Sequence, residues 1–288
     1  MIDLCVVNHN TAGLMKRFLD TLHLDLENKN RNWKLHITDN DSTDEFIEFI
    51  RHWGHSYHIE NLFLRKNIGY AAACNYMGSK TNSDILGLLN SDVWMTNDDV
   101  DKIQAIFDSN PDIHILGPKQ RDEHGRVTHA GMTGTSVQPI MRGWMLNDPE
   151  DIMFRDRVNC VTISGSAYFI RREVWDAMLN HPKYKEIHKD LYFSSEKLRE
   201  TIAMFYMDSP DALGAFLPTP HYYEETWCSY FARHLGYNVV YDGSVSIGHS
   251  WHASSAKPGE GVSHVDHYFP ISREIFRNAC DQLGIERD

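Results

Sequence analysis

Leu88-Leu89-Asn90-Ser91-Asp92-Val93 is an apolar run that stops abruptly at Asn-x-Asp, and Thr96-Asn97-Asp98-Asp99 then opens a polar stretch with a capping-box pattern, Thr96-x-x-Asp99. The pattern predicts a buried strand over 85–89 that delivers two oxygen-bearing side chains to its carboxyl end. An i, i+2 pair there can reach one point as the chain turns. Asp92 would be a hard anionic ligand and Asn90 a neutral one, a pair able to hold a divalent cation on a diphosphate. Taken alone the stretch also suits an ordinary Asn/Ser/Asp turn, so its neighbours decide.

Working outward, strand and helix patterns alternate through the first 120 residues. Buried strands are expected at 4–7, 33–38, 62–64, 85–89 and 113–117. Helical spacing of apolar residues occupies 12–26 and 43–53, a small-residue helix 70–79, and a further helix runs from Thr96 to before Pro111. Such alternation predicts an α/β fold with a mostly parallel sheet flanked by helices, and ligands bound beyond the carboxyl ends of the strands. After 120 the texture changes. A β-like run at 158–170 is broken by Ser164-Gly165-Ser166. Residues 181–220 read as an insertion carrying one helix at 195–207. A helix at 222–235 stops at Gly236, strands follow at 238–241 and 245–247, a His-, Ser- and Gly-rich loop at 249–270, and a closing helix from 271.

The formal net charge of −12 gives no global attraction to nucleic acid or anionic membrane. The arginines clustered between 121 and 172 fit a mixed solvated surface as well as a local basic groove. No signal peptide or run of about 18 apolar residues is encoded, and five scattered cysteines without a C-x-x-C suit reduced thiols. A cytoplasmic location is the expectation.

Four of the early strands end in polar residues: Asn8-His9-Asn10, Asp39-Asn40-Asp41-Ser42, Lys66-Asn67 and Asn90-Ser91-Asp92. In a parallel sheet these ends share one edge, so they form one pocket. Asp39 could accept from a base N–H. Asn67-Ile68-Gly69-Tyr70 allows close backbone approach before a helix N-terminus, which suits a phosphate or a sugar. Neither a G-x-G-x-x-G fingerprint after the first strand nor a P-loop is present.

These motifs, in this order and spacing, resemble those of the family-two inverting glycosyltransferases. The carrying stretches are Val6-Val7-Asn8-His9-Asn10, Thr38-Asp39-Asn40-Asp41-Ser42-Thr43-Asp44, the run from Arg65 through Asn67-Ile68-Gly69-Tyr70 to Asn75, Leu89-Asn90-Ser91-Asp92-Val93, Ser164-Gly165-Ser166, Tyr223-Glu224-Glu225-Thr226, and His249. The resemblance spans most of the chain except about 181–220. It implies a GT-A fold, with residues 1–120 as the nucleotide-sugar-binding half, 121–270 as the acceptor-binding and catalytic half, and 271–288 as the closing helix. It implies donor contacts from Asn8, Asn10, Asp39, Asn67, Gly69, Asn90 and Asp92. It places Asn90, Asp92 and His249 at a divalent cation, Mn2+ or Mg2+. The catalytic base would be Glu225, with Glu224 as alternative, and the acceptor would meet Ser164, Gly165, Trp227 and Trp251. Where relatives often read Glu-Asp-x-Asp, this chain has Glu224-Glu225-Thr226-Trp227, with Phe231 further on.

The expected activity is metal-dependent, inverting transfer from a nucleoside-diphosphate sugar, UDP first among the bases, to a hydroxyl on a glycan, a protein or a modified base. Two other readings stand beside it. One is a non-catalytic nucleotide-sugar-binding module. The other is a zinc hydrolase using the His249-Ser250-Trp251-His252 and His264-Val265-Asp266-His267 pairs. A nucleotidyltransferase would want a Gly-rich basic loop where Asn8-His9-Asn10-Thr11-Ala12-Gly13 stands.

Overall fold

A computed structural model describes residues 1–22, 31–53, 59–64, 67–184, 186–187, 214–217, 219–251 and 264–286. The expected helix at 195–207 and His252 lie outside the described residues, as does the end of the helix expected over 12–26.

The frame is one twisted sheet. Strands β1 (Ile2–Asn8), β2 (Trp33–Asn40), β3 (Ile59–Leu64) and β4 (Ile85–Asn90) pair in parallel in the order β3-β2-β1-β4. Sequence alternation explains the two cores. On β1, Ile2, Leu4 and Val6 enter one apolar layer, while Cys5 and Val7 enter the other. On β4, Ile85 and Leu89 join the first, Leu86 and Leu88 the second. Period-two strands buried on both faces need helices on both sides. Helices α1 (Ala12–Thr21), α2 (Phe46–Trp53), α3 (Tyr70–Lys80) and α4 (Asn97–Ser109) connect these strands and the next. Each fully buried Leu, Ile or Phe contributes about 1.5–3 kcal/mol. Helix α4 begins as its sequence says: the Thr96 hydroxyl accepts from the Asp99 backbone N–H, and the Asp99 carboxylate accepts from the Thr96 N–H.

The rest of the chain completes the same sheet. Next come β5 (Val93–Trp94), β6 (Ile115–Arg121), β7 (Val127–His129), the hairpin β8 (Met132–Gly134) and β9 (Pro139–Met141), β10 (Arg157–Asn159) and β11 (Ala167–Arg171). Then follow α5 (Arg172–Leu179), α6 (Glu224–His234), β12 (Val239–His249) and α7 (His264–Leu283). Strand β11 lies antiparallel between β4 and β6, and β12 runs parallel to β6. Only the β8–β9 hairpin stands apart as its own small sheet among the described residues.

Three local expectations change. The two strands expected at 238–241 and 245–247 are one strand, β12, irregular between Asp242 and Ser246. The register shift there lets a single strand carry both apolar runs. The closing helix begins at His264 rather than 271, so Pro270 lies inside it. Its apolar face, Ile271, Ile275, Phe276, Ala279 and Cys280, is buried against the second core layer, and packing of that face extends the helix past its proline. The helix expected from 222 begins at Glu224, because Tyr222 and Tyr223 both take left-handed backbone angles, φ 67° and 71°.

Lys119 is fully buried on β6, and its ammonium binds Asp148 and the Met153 carbonyl and lies 2.8 Å from Asp151 Oδ1. This network ties the 143–156 segment to the sheet.

Candidate active site

Strand β1 has β2 on one side and β4 on the other, so strand order reverses there and a crevice opens beyond the carboxyl ends. Asn8 pairs in register with Asp39, and Val7 with Asn90. The strand ends therefore meet, as their sequence predicts.

Their side chains form a bonded floor. Asn8 is fully buried; its amide donates to Asp39 Oδ1 at 2.9 Å and to Ser42 Oγ at 3.0 Å, and its carbonyl accepts from Thr11 Oγ1 at 2.7 Å. Asp39 Oδ2 accepts from the Ser42 backbone at 3.1 Å. Asn8 is thus spent on holding Asp39, a carboxylate with acceptor capacity to spare. Asn10, at φ 53°, accepts from the Thr43 backbone at 2.7 Å and joins the first and second strand ends. Asn40 does the same for the third: it donates to Asn67 Oδ1 at 2.9 Å and accepts from the Ile68 N–H at 2.9 Å. Asn67 in turn accepts from the Gly69 N–H at 2.8 Å, and Gly69 at φ 82° starts α3. That φ is easy for glycine and costly for other residues.

Asp92 follows β4 and is almost fully buried, while Asn90 keeps partial exposure. Strand β5 pairs with the end of β12, placing His249 opposite Val93, and the Ser250 N–H donates to the Asp92 carbonyl at 2.9 Å. The same pairing needs Gly248, because a Cβ there would collide with the Trp94 ring at 1.7 Å. His249 Nε2 consequently stands 3.6 Å from Asp92 Oδ1. A carboxylate and an imidazole from distant parts of the chain thus share one point, next to the partly exposed Asn90.

The carboxylates come from α6. Glu224 and Glu225 occupy its first turn, where unpaired backbone N–H groups favour negative charge. Glu224 is buried and accepts from Thr219 Oγ1 at 3.3 Å. Burial pushes its pKa up to about 8, and the neighbouring Glu225 adds to the rise. Glu225 keeps partial solvent access, yet its dense surroundings raise its pKa as well. Its Oε1 accepts from Thr226 Oγ1 at 3.4 Å, and its Oε2 is sequestered with no hydrogen-bond partner among the described residues.

The loop Ser164-Gly165-Ser166 joins these two regions. The Ser166 carbonyl accepts from the Asn90 N–H at 2.9 Å, and Gly165 lies against the Glu225 side chain. The Gly165 carbonyl accepts from Tyr70 Oη at 3.0 Å. Ser164 and Ser166 share a hydroxyl contact of 2.7 Å. Tyr222 lies within electrostatic reach of both glutamates and of Asp92. Burial first, and then those carboxylates, push its phenol up to about 12.

The two tryptophans expected at the acceptor have different surroundings. Trp227 is fully buried beside Phe231, ring centroids 5.2 Å apart, and builds the core under α6. Helical spacing turns residue 227 inward when Glu225 faces the crevice. Trp251 is 40% exposed and packs edge-on to Trp144 at 4.4 Å. It lines an open cleft of about 450 Å³ with Arg17, Glu123, Arg126 and Ser250.

Sequence reasoning missed His129, and it read Tyr70 only as part of the turn before α3. His129 Nε2 accepts from the Ser164 N–H at 3.0 Å, and burial, with His249 nearby, lowers its pKa to about 3, so it is a neutral brace under the loop. No local pattern around Thr128-His129-Ala130 announces this. The zinc reading fares differently: His264 and His267 lie on α7, not in a loop, and no group of three or more His, Cys, Asp or Glu able to hold a metal occurs among the described residues. No helix among them is long and apolar enough to cross a membrane.

A mostly parallel sheet with antiparallel β11 beside β4, polar strand ends at the switch point and an acidic helix start facing them define the GT-A class of nucleotide-sugar transferases. Within that class the chain belongs to Glycosyl transferase family 2, whose sequence model matches residues 3–179. Abequosyltransferase RfbV of Salmonella typhimurium is 23% identical over 192 residues, covering 62% of this chain and 55% of the relative. The chain thus spans about half the length of the curated relative it matches. Among solved structures, TarS of S. aureus in complex with UDP-GlcNAc has a TM-score of 0.55 at 14% identity, covering 97% of this chain and 66% of that one. The mannosyltransferase PcManGT of Pyrobaculum calidifontis, in complex with GDP-Man and Mn2+, has a TM-score of 0.53 at 12% identity, covering 98% and 74%. These likenesses show the fold.

Proposed function

We propose that this chain is a metal-dependent, inverting glycosyltransferase that moves a sugar from a uridine diphosphate donor to an acceptor hydroxyl. One observation carries the reading. The single loop 164–166 binds the backbone at Asn90 and packs against Glu225, so one short segment touches both the candidate diphosphate end and the candidate base. Support comes also from family membership and from neighbours of the same fold whose complexes hold nucleotide sugars, with Mn2+ in one of them.

In this reading Asp39 accepts from the base, and the Asn67–Gly69 turn approaches the donor through backbone. The donor set around Asp92 suits Mn2+ or Mg2+. A carboxylate with an imidazole beside it and an amide nearby fits a cation whose remaining ligands are diphosphate oxygens and water. When bound, the cation would neutralise charge developing on the departing diphosphate. Glu225 would take the proton from the acceptor hydroxyl as that oxygen attacks the anomeric carbon. Burial raises its pKa above the ordinary carboxylate value, which makes it a stronger proton acceptor than a solvent-exposed carboxylate. Glu224, also raised, would hold its proton at lower pH and so limit charge repulsion in the pair.

The test is a thermal-shift panel of nucleoside diphosphates and their sugars, with and without manganese. Stabilisation by uridine diphosphate that grows with metal is the expected result. No shift with any nucleotide at saturating concentration overturns the reading.

A further inference from the structure

Beyond Thr226 the chain forms a second pocket. It is about 190 Å³ and lies between the β8–β9 hairpin, α6 and α7, with Ser136, Tyr223, Thr226, Arg273, Phe276 and Arg277 in its walls. It adjoins the candidate base directly, since Thr226 donates its hydroxyl to Glu225 Oε1 at 3.4 Å. In a chain of net charge −12, no carboxylate among the described residues lines this pocket. Arg273 and Arg277 stand one turn apart on α7 and so share a helix face. Arg273 is exposed and makes no hydrogen bond or ion pair with the described residues. A third guanidinium, Arg233, donates to the lining residue Ser136 at Oγ, 3.2 Å away. Tyr223 and Phe276, stacked with centroids 5.0 Å apart, give the same pocket an aromatic wall.

We propose that this pocket is an anion subsite for the acceptor, in which Arg273 and Arg277 hold a phosphoryl group while an acceptor hydroxyl lies at Glu225. The proposal rests on the transferase reading and adds the chemical class of its acceptor. Two guanidinium forks and the hydroxyls of Ser136 and Thr226 match the several oxygens of a phosphate, which takes bidentate, charge-assisted hydrogen bonds. The stacked rings would lie under a sugar attached to it.

Phenyl phosphate is a probe for this site, titrated by calorimetry in EDTA so that metal-assisted diphosphate binding does not contribute. Wild type should bind phenyl phosphate and not benzyl alcohol. Arg273→Gln/Arg277→Gln should weaken that binding by at least about tenfold, and Arg273→Lys/Arg277→Lys should restore part of it. Equal binding by wild type and the Gln variant, or no binding by wild type, overturns the proposal. The uridine diphosphate–manganese thermal shift is measured on the same samples. If it persists in both proteins while phenyl phosphate binding is absent, the subsite fails and the transferase reading stands. If it is absent while arginine-dependent phosphate binding persists, the subsite stands as an anion site and its acceptor role falls. A lipid headgroup and a soluble ester share this chemistry. Arginine-dependent cosedimentation with phosphatidylcholine vesicles containing phosphatidic acid marks the lipid source, and arginine-dependent binding of phenyl phosphate alone marks the soluble one.

Discussion

Gly165 lies directly against Glu225: a Cβ at residue 165 would stand 3.1 Å from Glu225 Cγ and 3.3 Å from its carboxyl carbon. The glycine thus sets how far the carboxylate can swing back from the crevice. The backbone of residue 165 is not in the left-handed region, so alanine there changes the contact without straining the chain.

Gly165→Ala should therefore lower kcat by about ten- to a hundredfold while changing nucleotide affinity little, because a displacement of a few tenths of an ångström misplaces a base. Steady-state kinetics beside nucleotide titration checks this. A loss confined to KM would show that Gly165 touches substrate instead.

Glu225→Gln should remove about 10²–10⁴-fold of the transfer rate with the uridine diphosphate shift intact. If full activity remains, Glu225 is not the base, and the same measurement on Glu224→Gln becomes decisive.

Asp92→Ala should abolish the manganese-dependent part of nucleotide binding and leave any metal-independent part. EDTA should have the same effect on wild type. A variant that still responds to manganese as wild type does would move the cation away from Asp92.

The Glu224 carboxyl has a folded-state pKa of about 8 against an ordinary value of 4.5. Between those values the folded protein holds a proton that the unfolded chain has lost, so stability is full at low pH and falls as pH rises towards 8. Thermal unfolding across pH 5–8 should show this fall, and Glu224→Gln should flatten it. An unchanged slope would mean that Glu224 titrates normally.

Lys119→Met would leave Asp148 buried without its cation, at a cost of about 3–5 kcal/mol. Denaturant unfolding should show this loss. A neutral result would mean that the 143–156 segment rearranges to solvate Asp148.

Local chemistry made much of the strand-end pocket readable. The alternating apolar pattern of β1, β2 and β4 and the capping box at Thr96 depend on near neighbours in sequence, so their sequence implies them. The polar strand ends follow too, because parallel strands must finish on one edge. Asn8 shows the limit of that reasoning. Its place was legible, but its task of bonding Asp39, Ser42 and Thr11 required the register of two strands and a turn.

By itself, then, the sequence determined the α/β class, the crevice at the end of β1 and β4, and the acidic pair at the start of a helix. Tertiary structure alone decided which way that helix faces, and so placed Trp227 in the core and left Glu225 at the crevice. It also set His129 beneath Ser164 and supplied the strand pairing that holds His249 at Asp92, a meeting the family resemblance implied but no local pattern shows. Helical and strand periods are short-range and visible in a row of letters. Contacts such as His249 with Asp92 arise from strand pairing and packing between distant segments, whose partners no local pattern names.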